Sequence, residues 1–387
     1  MELYNRITKL KYVPALLAGF VIALPSNVMS KLFHSKSKLF LVGENGGVGF
    51  QDNGKFVFEE LLKRNTGKTY WMTFALNCNT DLKNQCRIGT VRGYYLYFRS
   101  AAVFYTHSLS TDIAPLANHI VFFNPLHIEI SHGVEGFKKK IQTNLVTNYP
   151  ADLYTCSNSF EMQIKHDYWK IPNDKLSITG VARYDGLPIQ KASHFTPRRI
   201  LYMPTWREWD YQESSADFKL TNTFKQINNL CTDSNLSNLL QQYNMHLVLR
   251  LHPFFQKYSE CFDSTKFAKN ISVTDDDVSA LIRDSDILIT DYSSVSWDFL
   301  YSLKPVLFFQ FDRDEYLNVR GSYLQIPEDL FGPSTTDWRK IPEILRNQIL
   351  KFDSSRLIKQ RDKYFDYSDR KNSARIVEAC TDLLDEE

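Results

Sequence analysis

Small polar residues that could hold a phosphate stand directly after one of the most apolar strand patterns in the chain. Ile287, Leu288 and Ile289 form a short β-branched run of the kind that a strand buried on both faces needs. The residues that follow are Thr290, Asp291, Tyr292, Ser293 and Ser294. A helix should start at these serines, and a helix start offers unpaired backbone N–H groups and a positive dipole end. The pattern therefore suits phosphate binding, while a plain serine-capped turn would give the same sequence.

Two histidines occupy the same kind of position at the ends of other predicted strands. His132 is followed by Gly133, and His252 is followed by Pro253. A single histidine at a strand end is usually structural, but two in equivalent positions favour a function. Imidazole titrates near neutrality, so it is suited to take a proton from a reacting hydroxyl.

Further polar and charged residues follow predicted strands in the second half of the chain. The set comprises Thr205, Arg207, Arg250, Asp312 and Glu315. The arginines would otherwise be surface charges. Beside the helix start at Ser293 they are candidates to bind a diphosphate through charge-assisted hydrogen bonds.

The elements that must position these groups alternate between strand and helix patterns. Predicted strands cover 38–42, 69–74, 101–106, 119–123, 128–131, 152–155 and 175–179, and then 199–203, 246–251, 287–289 and 305–309. This alternation predicts an α/β protein with two Rossmann-like, doubly wound domains that face a cleft and bind ligands at the carboxyl ends of their strands. The predicted parts are an N-terminal segment (1–35), a first domain (36–190), a second domain (191–368) and a C-terminal helix (369–387).

The composition is that of a globular protein without a strong charge bias. The 46 Lys and Arg residues nearly balance the 44 Asp and Glu residues, so nothing global indicates nucleic acid binding. The six cysteines are scattered without zinc spacing, which predicts reduced thiols in a cytosolic protein.

The first 35 residues contain an apolar run, 12–25, preceded by Arg6, Lys9 and Lys11. A bilayer span needs about 20 apolar residues, and this run is shorter, with proline near both ends. A signal peptide begins similarly, but no clear small-x-small cleavage site follows. We favour an interfacial helix on the cytoplasmic leaflet, so that the protein associates peripherally with the inner face of the membrane. An uncleaved anchor and a helix packed on the body of the protein are the alternatives.

Six segments in order resemble the CDP-glycerol glycerophosphotransferases of teichoic acid and capsule biosynthesis. They are 130–140, 179–185, 200–207, 249–253, 285–294 and 304–308. Most of these are weak alone, but six in order are specific. Two positions depart from the family pattern: Val134 stands for the usual Thr after His-Gly, and Ala182 for the usual Pro before Arg183. The first change bears on the acceptor or the polyol phosphate more than on the chemistry.

The resemblance implies the GT-B fold and a phosphotransferase reaction in the cell envelope. CDP-glycerol would supply glycerol phosphate to a hydroxyl of a lipid-linked glycan or polyol-phosphate acceptor at the cytoplasmic membrane surface, with release of CMP. His132 would act as the base, and His252 would lie across the cleft against the donor phosphates. The other implied contacts are Arg207, Ser293 and Ser294 at the diphosphate, Asp312 or Glu315 at the ribose, and Arg183 and Asp185 near the hinge.

Other functions stay open on the sequence alone. The same scaffold could use CDP-ribitol or a nucleotide sugar, and a noncatalytic member of a polymer-assembly complex could keep the fold. No metal or other cofactor is expected, because the acidic run Asp275-Asp276-Asp277 opens a predicted helix and is interpreted as its cap. The basic run 138–140 is interpreted as a solvated face, with contact to anionic lipid or to a phosphate-bearing acceptor as the alternative.

Overall fold

The computed structural model describes residues 10–32, 38–75, 82–120, 122–140, 151–190, 195–212, 214–262, 265, 267 and 269–386. The chain folds into two compact units. The first unit comprises the described residues within 10–134, 151–186 and 365–386, and the second comprises those within 135–140 and 187–364. The predicted C-terminal helix therefore belongs to the first unit, and a short segment after residue 134 belongs to the second.

A parallel sheet of seven strands forms the centre of the first unit, in the order β3-β2-β1-β4-β5-β6-β7. The strands are β1 (Leu39–Gly43), β2 (Lys68–Thr73), β3 (Gln85–Arg87), β4 (Ala102–Tyr105), β5 (Leu126–Glu129), β6 (Leu153–Cys156) and β7 (Leu176–Ile178). The α-helices are Val13–Leu32, Asp52–Arg64, Val91–Arg99, Leu109–Asp112, Ser159–Asp167 and Asn372–Glu386. Ile376, Val377 and Cys380 bring the last helix into the same buried core as strands β1, β4 and β5.

A parallel sheet of six strands forms the second unit, in the order β10-β9-β8-β11-β12-β13. The strands are β8 (Arg199–Tyr202), β9 (His246–Arg250), β10 (Ile271–Thr274), β11 (Ile287–Thr290), β12 (Val306–Phe309) and β13 (Ser334–Thr335). The α-helices are Ser215–Phe218, Asn222–Cys231, Ser234–Gln242, Val278–Asp284, Val295–Tyr301, Arg313–Val319, Ile341–Leu350 and Ser354–Tyr364. Strand β11 is buried along its whole length, as its apolar run predicts.

One predicted strand of the first unit is wrong. Of this range, the described residues 119, 120, 122 and 123 lie in no strand, and the chain makes a short 3-10 turn over Ala117–His119 before β5 begins at Leu126. Phe123 has a φ of 58°, outside the β region, and the side chain of Phe122 is 66% exposed. A local apolar run therefore gave a false strand pattern.

The helix Val13–Leu32 packs along the helix Val91–Arg99 of the first unit. Gly19 allows this close approach, because a Cβ at this position would lie 2.5 Å from Cβ of Tyr94. The Asn27 side chain donates to the Phe98 carbonyl at 2.9 Å. Leu17 and Val21 on the opposite face are more than half exposed. By length and composition, the segment 13–30 is one that could cross a membrane.

Five cysteines are buried and free of disulfides in the described residues, which agrees with the prediction of reduced thiols. They are Cys86, Cys156, Cys231, Cys261 and Cys380. Cys78 lies outside the described residues.

Candidate active site

The backbone that carries His132 is fixed by hydrogen bonds just beyond the end of β5. Ser131 adopts a left-handed conformation, with a φ of 48°, and its carbonyl accepts from the Asn53 side chain at 3.1 Å. Asn53 in turn accepts from the Arg183 backbone N–H at 3.0 Å, and the Arg183 guanidinium donates to the His132 carbonyl at 3.0 Å. The Gly133 carbonyl accepts from Ser131 Oγ at 3.0 Å. The exposed imidazole thus projects from a constrained turn.

Two carboxylates and a second histidine surround this imidazole. Glu44, Asp52 and His132 each place a side-chain N or O atom within 4.8 Å of the others. The His107 ring lies 4.2 Å from the His132 ring, centroid to centroid. Arg183 Nη1 lies 3.4 Å from Asp52 Oδ1. The first unit therefore presents an exposed histidine within an acidic group of side chains.

Glu44 is the least solvated member of this group, since its side chain is 1% exposed. One carboxylate oxygen accepts from the Gly54 backbone N–H, and the other finds no hydrogen-bond partner among the described residues. Burial, and then the charge of Asp52, raise the pKa of Glu44 well above its ordinary value. The carboxylates and the imidazole are also ligand types that could hold a divalent cation.

Sequence reasoning missed Glu44, Asp52 and His107 as site residues. Glu44 follows β1 and His107 lies just beyond β4. Selecting the polar residues after every predicted strand, and not only after some of them, would have found both. Asp112 fixes the loop after β4 by accepting from the backbone N–H groups of Thr106 at 3.1 Å and His107 at 2.8 Å.

In the second unit, Arg207 lies at the centre of a buried ion network. Its Nε and Nη2 donate to Asp312 at 2.7 and 2.9 Å, and its Nη1 donates to Asp291 at 2.7 Å. Burial opposes the charge, but the two carboxylates outweigh this effect and raise the pKa of Arg207. Asp291 also accepts from the Thr205 hydroxyl at 2.6 Å. This network ties together the loops after β8, β11 and β12.

The burial of this ion network limits the direct ligand contacts predicted for Arg207 and Asp312. Arg207 has no exposed surface, and most of its N–H groups already meet carboxylate or carbonyl oxygens. A direct contact between Arg207 and a phosphate, or between Asp312 and a ribose, would require the network to open. In this structure the three charged residues position the loops around them.

His252 lies half-buried just beyond β9, with its ring facing Trp206 at 6.0 Å. Its Nδ1 accepts from the Phe254 backbone N–H at 3.3 Å, which leaves Nε2 as the protonated nitrogen of the neutral ring. Burial, followed by the positive charges of Lys138 and Arg250, lowers the pKa of His252 to about 4. At neutral pH His252 is therefore an uncharged hydrogen-bond donor.

Of the other residues predicted to bind the nucleotide donor, some already make hydrogen bonds within the protein and some are exposed to solvent. Arg250 donates to the backbone carbonyls of Asp276 and Leu251, each at 3.1 Å, and Thr290 donates to the Met203 carbonyl at 2.6 Å. Ser293 Oγ accepts from the Val295 N–H at 3.3 Å. The exposed residues are Ser294, which occupies the N-cap position of the helix Val295–Tyr301, and Glu315.

Two acidic residues act as helix caps. Asp185 accepts from the backbone N–H groups of Asn372 and Ser373, both at 2.8 Å, and so caps the C-terminal helix. Asp277 accepts from the Ala280 N–H at 2.9 Å, as the interpretation of the acidic run as a cap requires.

Comparisons with known proteins agree with this architecture. The model of the CDP-Glycerol:Poly(glycerophosphate) glycerophosphotransferase family matches residues 26–381. The minor teichoic acid biosynthesis protein GgaB of Bacillus subtilis is 23% identical over 86% of this chain and 38% of its own length. The teichoic acid ribitol-phosphate polymerase TarK of Staphylococcus aureus is 23% identical over 90% of this chain and 69% of its own.

A solved structure of the wall teichoic acid polymerase TagF shares the fold. It superposes with a TM-score of 0.67 at 19% identity, covering 98% of both chains. The prediction of a GT-B-like protein with two parallel-sheet α/β domains is confirmed. The chain spans less than half the length of GgaB, so activity does not transfer from the whole of that relative.

Proposed function

Because the chain belongs to the CDP-glycerol:poly(glycerophosphate) glycerophosphotransferase family, we propose that it transfers glycerol phosphate from CDP-glycerol to a hydroxyl group and releases CMP. The acceptor is a lipid-linked glycan or a polyol phosphate, in the synthesis of teichoic acid or a capsular polysaccharide. The observation that carries this proposal is the pair of strand-end histidines, one on each sheet, in opposite electrostatic surroundings.

His132 is the proposed general base. The acceptor hydroxyl loses its proton to the imidazole while its oxygen bonds to the phosphorus that carries glycerol. The bond from that phosphorus to the bridging oxygen breaks, and CMP leaves with the electron pair. The carboxylates of Asp52 and Glu44 nearby favour the imidazolium that this step creates.

The second unit is the proposed donor side. His252 Nε2–H donates a hydrogen bond to a phosphate oxygen without adding charge, which the depressed pKa of this histidine supports. Ser293 and Ser294 offer hydroxyls at the start of the helix that follows β11. Arg207 acts indirectly, by holding Asp291 and Asp312 and so the loops that carry the donor contacts.

The reaction is tested by which nucleotide is released. The purified protein is incubated with CDP-glycerol, CDP-ribitol and a panel of nucleotide sugars, with membrane lipid extract as acceptor. We expect CMP from CDP-glycerol, and no nucleotide when the acceptor is omitted. Release of UDP or another nucleoside diphosphate would contradict the proposal and show that the protein transfers a glycosyl group instead of a glycerol phosphate.

CDP-ribitol is the second candidate donor, because the chain is similar to a ribitol-phosphate polymerase over 90% of its length. Val134 leaves the polyol open, since it removes a hydroxyl next to the His132-Gly133 pair that the family usually has there. CMP release from CDP-ribitol at a higher kcat/KM than from CDP-glycerol would select it.

Membrane attachment is proposed to use the exposed face of the helix Val13–Leu32. Its solvent-facing side chains are Leu17, Val21, Ile22, Val28, Met29 and Leu32, and each is 46% to 67% exposed. A face of this kind, with the opposite face packed on protein, suits a helix that lies in the interface of the cytoplasmic leaflet.

Substitution tests the attachment without removing the helix. V21E combined with I22E should release the protein from anionic vesicles in a flotation assay, because two charges would enter the apolar layer. The matched control is L220E, at a side chain of the second unit that is 70% exposed. Flotation of the double variant with the vesicles would show that the attachment lies elsewhere.

A further inference from the structure

The short segment 135–140 is built into the second unit by an aromatic anchor. The Phe137 ring lies 5.5 Å from that of Trp297, 5.7 Å from that of Phe308 and 6.2 Å from that of Phe331, centroid to centroid. Its side chain is 2% exposed. An aromatic side chain buried among three others fixes the backbone on either side of it.

Hydrogen bonds to the loop 321–324 complete this attachment. The Gly136 carbonyl accepts from the Tyr323 N–H at 2.9 Å and from Ser322 Oγ at 3.1 Å. The Lys139 N–H donates to the Gly321 carbonyl at 3.3 Å. Lys138 therefore lies between two anchored residues, and its side chain is directed by a defined backbone rather than by a free loop.

Within the described residues, no hydrogen bond or ion pair to the Lys138 ammonium is found, although the side chain is partly buried. Asp291 is the carboxylate with the strongest effect on it, and that carboxylate is already engaged by Arg207 and Thr205. Arg320, which also faces Lys138, pairs with Glu208 at 2.9 Å. Glu135, the other carboxylate that acts on Lys138, pairs with Lys140 at 3.3 Å, so the described residues give Lys138 no counterion of its own.

Lys138 and His252 belong to the same unit, and the charge of Lys138 acts on His252. This charge is the second-largest cause, after burial, of the depressed pKa of that histidine. Burial, helped by the charges of Arg320 and Arg207, likewise lowers the pKa of Lys138, against the opposing effect of Asp291. A partly buried cation and a neutral N–H donor that interact electrostatically within one unit offer complementary contacts to phosphate oxygens.

We propose that Lys138 is a phosphate-binding residue, and that with His252 it forms an anion site for the diphosphate of a nucleoside diphosphate. The ammonium supplies the charge and His252 supplies a directional hydrogen bond. This inference deepens the proposed function and rests on it for the identity of the nucleotide. Of the run 138–140, interpreted from the sequence as a solvated face, only Lys138 is assigned to a ligand site. Lys139 and Lys140 are exposed, as that interpretation requires.

Calorimetric titration with CDP tests the site without any turnover. K138M keeps the length of the side chain but removes its charge, and we expect CDP to bind about 10- to 100-fold more weakly, the loss typical of a hydrogen bond to a charged group. K138R should retain most of the affinity, and the matched control K140A should retain all of it. Unchanged CDP binding by folded K138M would overturn the proposal.

The two proposals fail separately. If the wild-type protein releases no CMP from CDP-glycerol but K138M still loses affinity for CDP, the anion site stands and the proposed reaction falls. If the wild-type protein turns over and K138M binds CDP normally, the reaction stands and the anion site falls.

Chemical labelling provides a second measurement on the unmodified chain. Pyridoxal phosphate forms an imine with a lysine amine, with loss of water, and borohydride reduces the imine to a stable secondary amine. A lysine with a lowered pKa beside an anion site should react first and be protected by CDP. Mass spectrometry of the peptide compares Lys138 with Lys139 and Lys140. Equal labelling of the three, or no protection by CDP, would contradict the assignment.

Discussion

His132 and His252 each lie just beyond the carboxyl end of a strand, one in each sheet, but their surroundings differ in sign. His132 is exposed and lies within 4.8 Å of two carboxylates. His252 is half-buried, and the positive charges of Lys138 and Arg250 act on it. The fold places one histidine after β5 and one after β9, and burial together with the positive charges of Lys138 and Arg250 keeps the second of them neutral.

Replacing His132 should have the largest effect if this contrast is correct. H132Q should lower the rate of CMP release by about 10²- to 10⁴-fold, the usual contribution of general acid–base catalysis. CDP binding and the thermal unfolding temperature should remain near the wild-type values, because the side chain is exposed. H119Q, at an exposed histidine of the same unit outside this group of side chains, is the matched control. Wild-type turnover by H132Q would remove this residue from catalysis.

Removing Arg207 tests whether the second site depends on its buried ion network. R207M leaves Asp291 and Asp312 as uncompensated buried charges, which should destabilise the second unit by about 3–5 kcal/mol. Hydrogen exchange of the β8 and β11 amides would report this loss, and the amides of the first sheet should be unaffected. R339M, at an exposed ion pair, should leave exchange nearly unchanged. Unaltered protection in R207M would mean that the carboxylates tolerate the loss of their partner.

Because the pKa of His252 is lowered, we expect the second unit to lose stability under acid conditions. As the pH falls from about 6.5 to about 4, unfolded chains take up a proton at this position before the folded protein does, so stability is lost. H252Q should remove up to about 3 kcal/mol of this loss, and less to the extent that solvent screens the site. Hydrogen exchange of β9 at pH 7 and pH 5 measures it. An equal loss in both proteins would contradict the prediction.

The raised pKa of Glu44 leads us to expect the opposite pH dependence of stability in the first unit. Of the four substitutions, the one at Glu44 should have the smallest effect. Its pKa is raised on folding, so its contribution to stability is complete below the unfolded pKa and is lost as the pH rises toward the folded value. E44Q should flatten this decline in the exchange of β1, whereas the exposed control E59Q should not. Destabilisation of E44Q that appears only with divalent cations would identify Glu44 as a metal ligand instead.

The sequence predicted most strands of both sheets and the strand-end histidines, because both follow from local patterns, but it gave one false strand and missed the short edge strands β3, β10 and β13. It assigned Arg207 to a phosphate, since nothing local shows that Asp291 and Asp312 meet at this guanidinium. Lys138 was grouped with two exposed lysines for the same reason: its burial depends on Phe137 fitting among aromatic rings far away in the sequence. The missing information is long-range packing, which decides whether a charged group faces solvent, a partner or a ligand.

The closing helix Asn372–Glu386 has a consequence for how the protein is made. It supplies Ile376 and Val377 to the core of the first unit and is capped by Asp185. The core of the first unit is therefore built from residues that precede the second unit in the sequence and from residues that follow it. A ribosome must therefore synthesise the whole second unit before the first can be completed. Until then the nascent first unit would lack one wall of its core, and the apolar side chains that the closing helix covers would stay exposed during synthesis.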